Sequence, residues 1–234
     1  MTSPKNIALI LAGGEGTRAQ QPVPKQYVQI EGIPLLAYTL RTFDRHPLID
    51  AIYVVCRDKW RAYVEQFTME LGFMKFCGTF PAGDSSIDSV RNGILGLQAA
   101  APADAVILVH DGVRPLVSAE VISDSIRVCS LRGNAIAAMQ SEEAYMAGDS
   151  EKATEMIPRE QLWGAQTPHT FPLATLVEAF AEADEKGFTQ SQSLYTLMAD
   201  LGRWPLYKSR GERVNLKVTN PEDIWLFSRL ASVL

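Results

Sequence analysis

The chain has 234 residues, 47% of them hydrophobic and 21% charged, which is enough apolar material for one large α/β domain and excludes global disorder. Its 22 basic and 27 acidic residues give a net charge of −5, and no basic run is present, so a nucleic-acid partner is not expected. No apolar run approaches the roughly 20 residues that span a bilayer. The N-terminus has no signal-peptide architecture, so the expected setting is the cytoplasm, with no membrane partner.

In chain order, Ile7 to Leu11 is a compact apolar run that predicts a buried first strand. Residues 34–45 carry Leu35, Leu36, Tyr38, Leu40 and Phe43 at helical spacing. A second strand is expected over 51–55 and a second helix over 60–71. Ile87, Val90, Ile94 and Leu97 form one stripe of a helix over 86–99, and 105–109 reads as another buried strand. Ser118 is placed to cap a helix running to about Cys129, followed by a strand over 135–139. The stretch 140–158 is polar, charged and weakly periodic, and reads as an irregular arm leaving the sheet. Helices over 173–186, 191–201 and 221–234 follow, with a strand around 205–208. Alternating strands and helices predict a Rossmann-like α/β fold: a single domain, mostly parallel sheet flanked by helices, with a protruding arm. Cys56, Cys77 and Cys129 are far apart and form no CxxC pair. They read as small core residues, and neither a disulfide framework nor a protein metal site is expected from them.

The strongest local signal is the segment Leu11-Ala12-Gly13-Gly14-Glu15-Gly16-Thr17-Arg18, directly after the first strand. Glycines let successive backbone N–H groups approach an anion without Cβ interference. The segment is not a P-loop, which ends in Gly-Lys-Ser/Thr, and it lacks the third glycine of the dinucleotide fingerprint. Taken alone, it also fits an ordinary turn. Lys25, in Pro24-Lys25-Gln26-Tyr27, is close enough in sequence to fold back over the same loop, and Arg18 with Lys25 supplies two cations for a triphosphate under cleavage.

Further along, Asp84, Ser85 and Ser86 suit a helix cap as well as a ligand contact. His110-Asp111-Gly112-Val113-Arg114-Pro115 ends a buried strand, at the edge where open α/β sheets place ligands. Asp111 and Arg114 fit either ligand contacts or an ion pair fixing the turn, and His110 reads as structural.

In their order, LAGGEGTR…PKQY, GDSSIDSV, VHDGVRP, GAQTP and NLKVTNPEDI resemble the cytidylyltransferase family that includes the 2-C-methyl-erythritol 4-phosphate and ribitol 5-phosphate enzymes. The resemblance runs from residue 7 to residue 224. It implies transfer of CMP from CTP to a small polyol phosphate, with Mg²⁺ held mainly by the CTP phosphates. It puts Leu11, Ala12, Gly13, Gly14, Gly16, Thr17, Arg18 and Lys25 on the nucleotide, together with Gly112 and Lys217. Gly83, Asp84 and Ser89 match the cytosine-reading positions. Asp111, Arg114, Arg159, Thr167 and Lys217 match the acceptor side, and Arg18, Lys25, Arg159 and Lys217 the catalytic set. It further implies a homodimer in which residues 140–158 cross to the second subunit.

The chain also departs from the family. Ser86 stands where an Arg is common, and 141–146 and 188–191 lack the usual Asp-Thr and Thr-Asp-Asp/Glu patterns. Val113-Arg114-Pro115 and the Gln-Thr-Pro-His-Thr-Phe segment lean toward ribitol 5-phosphate, with the methyl-erythritol acceptor as alternative. A non-catalytic nucleotide-binding module and a nucleotide-dependent oxidoreductase are the readings from other classes.

Overall fold

The structure is a computed structural model that describes residues 5–15, 23–188 and 191–231. Its first half comprises β1 (Asn6–Leu11), β2 (Gln29–Ile30), β3 (Ile33–Pro34), α1 (Leu35–Arg45), β4 (Ala51–Cys56), α2 (Asp58–Glu70), β5 (Phe76–Pro81) and α3 (Ser86–Ala100). The second half comprises β6 (Val106–Asp111), α4 (Ala119–Arg132), β7 (Ala135–Gln140), β8 (Tyr145–Gly148), β9 (Ala153–Ile157), β10 (Trp163–Pro172), α5 (Leu173–Lys186), α6 (Leu194–Asp200), β11 (Lys208–Arg210) and α7 (Pro221–Ala231). Among these, no helix is long and apolar enough to cross a membrane.

Seven strands form one sheet in the order β11-β7-β10-β6-β1-β4-β5. Only β10 runs against its neighbours; β1 lies parallel to both β4 and β6. Because strand side chains alternate, β1 feeds two cores at once. Ile7 and Leu9 pack with Ile94 and Leu97 of α3 and with Leu176 and Phe180 of α5. Ala8 and Ile10 pack on the other face, with Leu40 and Phe43 of α1, Phe67 of α2 and Ile122 of α4. The order in which strands are added reverses at β1, with β4 on one side and β6 on the other, so a crevice opens at their carboxyl ends.

Most expected elements are present, and local chemistry sets their limits. The Ser118 hydroxyl accepts from the Val121 N–H at 3.1 Å and so caps α4, as expected. Helix α6 begins later than the pattern implies, because Ser193 and Thr196 form a capping box that fixes its start. The strand expected over 205–208 is displaced to Lys208–Arg210, where it pairs in parallel with Ile136–Ala138. Residues 232–234 of the expected last helix lie outside the described residues.

Three corrections are larger. The arm is not irregular: β8 and β9 pair into an antiparallel hairpin. Its strands are exposed on both sides, so the period-two burial pattern that marks a strand is absent from the sequence. Strand β10 was hidden by Pro168, which the ladder accommodates at a register shift between Ala165 and His169. Cys77 is exposed and is not a core residue, whereas Cys56 and Cys129 are buried as expected.

Helix α3 lies close on the sheet. A Cβ on Gly93 would stand 2.7 and 2.9 Å from the Leu9 methyls and 3.1 Å from Val55. Gly93→Ala is expected to lower unfolding stability by about 1–2 kcal/mol, overpacking outweighing the ~1 kcal/mol gain in helix propensity. Urea denaturation reads this, and a variant as stable as the parent would mean that α3 moves off the sheet without cost.

Candidate active site

Two cavities meet at the carboxyl ends of β1 and β6. The larger, about 430 Å³, is lined by Gly13 and Gly14, Lys25, Arg57, the segment 83–86, Ser89, Asp111 and Lys217. The smaller, about 170 Å³, is lined by Asp111, Arg114, Thr167, His169, Ser193, Tyr195 and Lys217, among others. Leu11, Ser86, Asp111 and Lys217 border both. Most of the described residues read from the sequence as nucleotide or acceptor contacts therefore converge on one crevice.

The glycine-rich loop takes its shape from the turn that follows it. Lys25 to Tyr27 form one turn of 3₁₀-helix. The Gln26 amide donates to the carbonyls of Ala12 at 2.8 Å and Gly14 at 2.7 Å, and the Tyr27 hydroxyl donates to Ala12 O at 3.3 Å. Tyr27 is in turn stacked on Trp60 at 4.4 Å. Lys25 is thereby folded over the loop, largely buried and facing the cavity. Gly16, Thr17 and Arg18 lie outside the described residues.

Gly13 and Gly83 are glycine for a close-packing reason. A Cβ on Gly13 would lie 2.5 Å from the Ala82 Cβ, and one on Gly83 only 2.3 Å from the Asp88 Cβ. A Cβ on Gly14, by contrast, would meet none of the described residues within 4 Å, and Gly14 borders the cavity. On the facing wall, Ser85 caps α3 through a reciprocal box with Asp88. Ser89 accepts from Gly83 N at 3.0 Å and donates to Ser85 O at 3.0 Å, so its hydroxyl holds the Gly83 turn. Among the described residues Asp84 has no hydrogen-bond or ion-pair partner, and its carboxylate is exposed at the cavity wall. Gly112, expected on the nucleotide, lines neither cavity; its carbonyl accepts from Thr39 Oγ1 at 2.9 Å.

Asp111 is the junction. One carboxylate oxygen accepts from Arg114 Nε and the other from Lys217 Nζ, both at 3.1 Å. Its backbone N–H donates to the Thr167 hydroxyl, also at 3.1 Å. Arg114 donates again, from Nη1 to Asn215 O at 2.6 Å. The ion pair that the sequence left open as one reading of Asp111 and Arg114 is thus formed. Burial would raise the Asp111 carboxyl, but Lys217 and Arg114 outweigh it and hold the group down at about 2. The resulting stabilisation is complete above the ordinary carboxylate value and is lost as pH falls toward 2. Burial pushes His110 down to about 3 and His169 down to about 4, so neither ring changes charge near neutral pH.

Arg159 stands apart. It lies in a 3₁₀ turn after the hairpin, its side chain is 61% exposed, and it lines a different surface pocket with Glu142 and Glu160. Within one chain it is not brought to the Asp111 cluster. Sequence reasoning also missed three contributors. Gln26 ties the two motifs together. Asn215, fully buried, donates to Thr167 O at 2.9 Å and to Gln166 Oε1 at 3.3 Å, joining the Lys217 loop to β10. Arg57 directly follows β4, and its place at a strand's carboxyl end was the available signal. Among the described residues no group of three or more His, Cys, Asp or Glu converges as a metal site.

Comparison with known proteins points to one family. The family model for 2-C-methyl-D-erythritol 4-phosphate cytidylyltransferase matches residues 6–229. The ribitol-5-phosphate cytidylyltransferase of Lacticaseibacillus paracasei is 35% identical over 94% of this chain and 95% of its own length. The 2-C-methyl-D-erythritol 4-phosphate cytidylyltransferase of Geotalea uraniireducens is 34% identical over 94% and 93%. Among solved structures, that of the Thermus thermophilus 2-C-methyl-D-erythritol 4-phosphate cytidylyltransferase superposes with a TM-score of 0.74 at 26% identity, covering 96% of this chain and 98% of that one. With the match spanning nearly all of the chain, the crevice at β1 and β6 and the loops around it are those of a member of this cytidylyltransferase family.

Proposed function

We propose that this chain transfers CMP from CTP to the phosphate of a small polyol phosphate, releasing pyrophosphate, with ribitol 5-phosphate or a related sugar-alcohol phosphate as acceptor. The observation that carries this reading is the meeting of two cavities at Asp111 and Lys217, one large enough for a nucleotide and bordered by Lys25, the other small and bordered by hydrogen-bonding side chains. The larger takes CTP, with Gly14 and Lys25 on the triphosphate. The unpartnered carboxylate of Asp84 suits the exocyclic amine that distinguishes cytosine from uracil, since a carboxylate accepts from that amine. The smaller cavity takes the acceptor.

An oxygen of the acceptor phosphate attacks the α-phosphorus, the bond to the β-phosphate oxygen breaks, and its electron pair leaves with pyrophosphate. A phosphate monoester has a second pKa of about 6, so the nucleophile is already largely ionised at neutral pH and needs no general base. Positioning and charge neutralisation remain for the protein. Lys217, bordering both cavities, is placed to serve both phosphates. Asp111 keeps Lys217 pointed at the crevice, while Thr167 and Asn215 hold Asp111 and the Lys217 loop in register. Both Asp111 oxygens are already engaged by cations, so Mg²⁺ fits here as an ion carried on CTP phosphate oxygens and water, where it neutralises charge.

The acceptor side is completed by a second copy of the chain. The hairpin carries Tyr145, Met146 and Met156 exposed, an apolar set that one chain leaves uncovered. Two-fold pairing through this hairpin covers that set and gives Arg159 a fixed position at the neighbouring crevice, where a guanidinium grips the acceptor phosphate.

Two measurements test the reading. Pyrophosphate release with CTP and Mg²⁺ is expected for ribitol 5-phosphate, more slowly for 2-C-methyl-D-erythritol 4-phosphate, and weakly when ATP or GTP replaces CTP. No release with any polyol phosphate would leave a non-catalytic nucleotide-binding module, and faster methyl-erythritol turnover would reverse the acceptor assignment. Replacing residues 141–155 with a short Gly-Ser linker is expected to give an inactive monomer by light scattering and turnover. A fully active monomer would place Arg159 within its own subunit and end the shared-site proposal.

A further inference from the structure

Arg57 belongs to no motif that the sequence singled out, yet it borders the larger cavity beside Gly13 and Lys25. It sits between the end of β4 and the first turn of α2. Its Nε donates to Gly13 O at 3.3 Å, which anchors the side chain on the glycine-rich loop and fixes the direction of the fork. Nη2 lies 3.8 Å from Glu15 Oε1, beyond hydrogen-bond reach, with the two side chains 32% and 62% exposed. An ion pair so long and so wet contributes little. The guanidinium is thus aimed by one hydrogen bond and held only weakly by its countercharge.

Charge balance points the same way. The described charged residues bordering the cavity are Lys25, Arg57 and Lys217 against Glu15, Asp84 and Asp111. Lys217 is already paired with Asp111. A nucleoside triphosphate brings about four negative charges, and a guanidinium presents a planar fork suited to phosphate oxygens.

We infer that Arg57 is a nucleotide-phosphate contact of this site, and that Glu15 is its placeholder, exchanged for phosphate when the nucleotide enters. The inference rests on the cytidylyl-transfer reading for the identity of the nucleotide, but not for the contact itself. Arg57 acts on binding of the triphosphate and has no part in reading the base or the acceptor.

The test is calorimetric titration of the full chain, without acceptor, using CTP, cytidine and inorganic tripolyphosphate as probes. Arg57→Ala is expected to weaken CTP and tripolyphosphate at least about tenfold, the size of a lost charge-assisted hydrogen bond, and to leave cytidine within about twofold. Arg57→Lys, which keeps the charge without the fork, falls between. Glu15→Gln is expected to tighten CTP by about two- to fivefold in the parent chain and to do nothing in the Arg57→Ala background, the non-additivity that a placeholder requires. CTP affinity within twofold of the parent in Arg57→Ala overturns the inference. So does an equal loss for cytidine, which would reduce Arg57 to a tether of the Gly13 loop. If the parent binds tripolyphosphate but not CTP, the cytidylyl-transfer reading fails while the tripolyphosphate titrations still decide the role of Arg57.

Discussion

The site depends on one buried carboxylate held between two cations. Asp111 ends the strand that pairs with β1 and β10, and its oxygens take Arg114 on one side and Lys217 on the other, at 3.1 Å each. A carboxylate this enclosed is costly unless paired. Arg114, 11% exposed, shares its burial, while Lys217, 45% exposed, ties a loop more than 100 residues away in sequence to the mouth of the crevice. Thr167 from the bulged strand and Asn215 from the Lys217 loop then complete a frame in which strand, turn and loop each hold the next.

The frame suits a reaction whose nucleophile arrives already ionised. The described crevice offers no histidine able to titrate near neutral pH, since His110 and His169 are both buried and held neutral. It offers Lys25, Arg57 and Lys217 around a cavity that Gly14 borders. A rigid sheet edge does this better than a mobile loop, because phosphate transfer tolerates little misplacement of either phosphate.

The parts of the site legible in the sequence are those whose chemistry is local. The glycine-rich loop, Lys25 and Val109 to Pro115 each sit next to a strand end, so motif and element announce one another. Gln26 was passed over because its work is done at long range, on the carbonyls of Ala12 and Gly14. Strand β10 carries a glycine and two prolines and so lacks strand composition; it is a strand because β6 and β7 flank it on both edges. The hairpin at 145–157 hides for a different reason. Its strands are exposed along nearly their whole length, so no alternating burial marks them, and Arg159, which follows, lies away from the Asp111 cluster. Arg57 shows what a motif search loses: a cation outside every recognisable motif, placed at the crevice only by the order of strands in the sheet.

If Asp111 and Lys217 stand between a nucleotide and an acceptor in adjoining cavities, a crystal structure of the chain with CTP, Mg²⁺ and a slow or non-reacting acceptor analogue will show it. Cytosine is expected against Asp84 and the triphosphate across Gly14 toward Lys25. Lys217 Nζ is expected within hydrogen-bond distance of both an α-phosphate oxygen and the acceptor phosphate. A nucleotide bound elsewhere, or an acceptor phosphate lying outside the reach of Lys217, would contradict it.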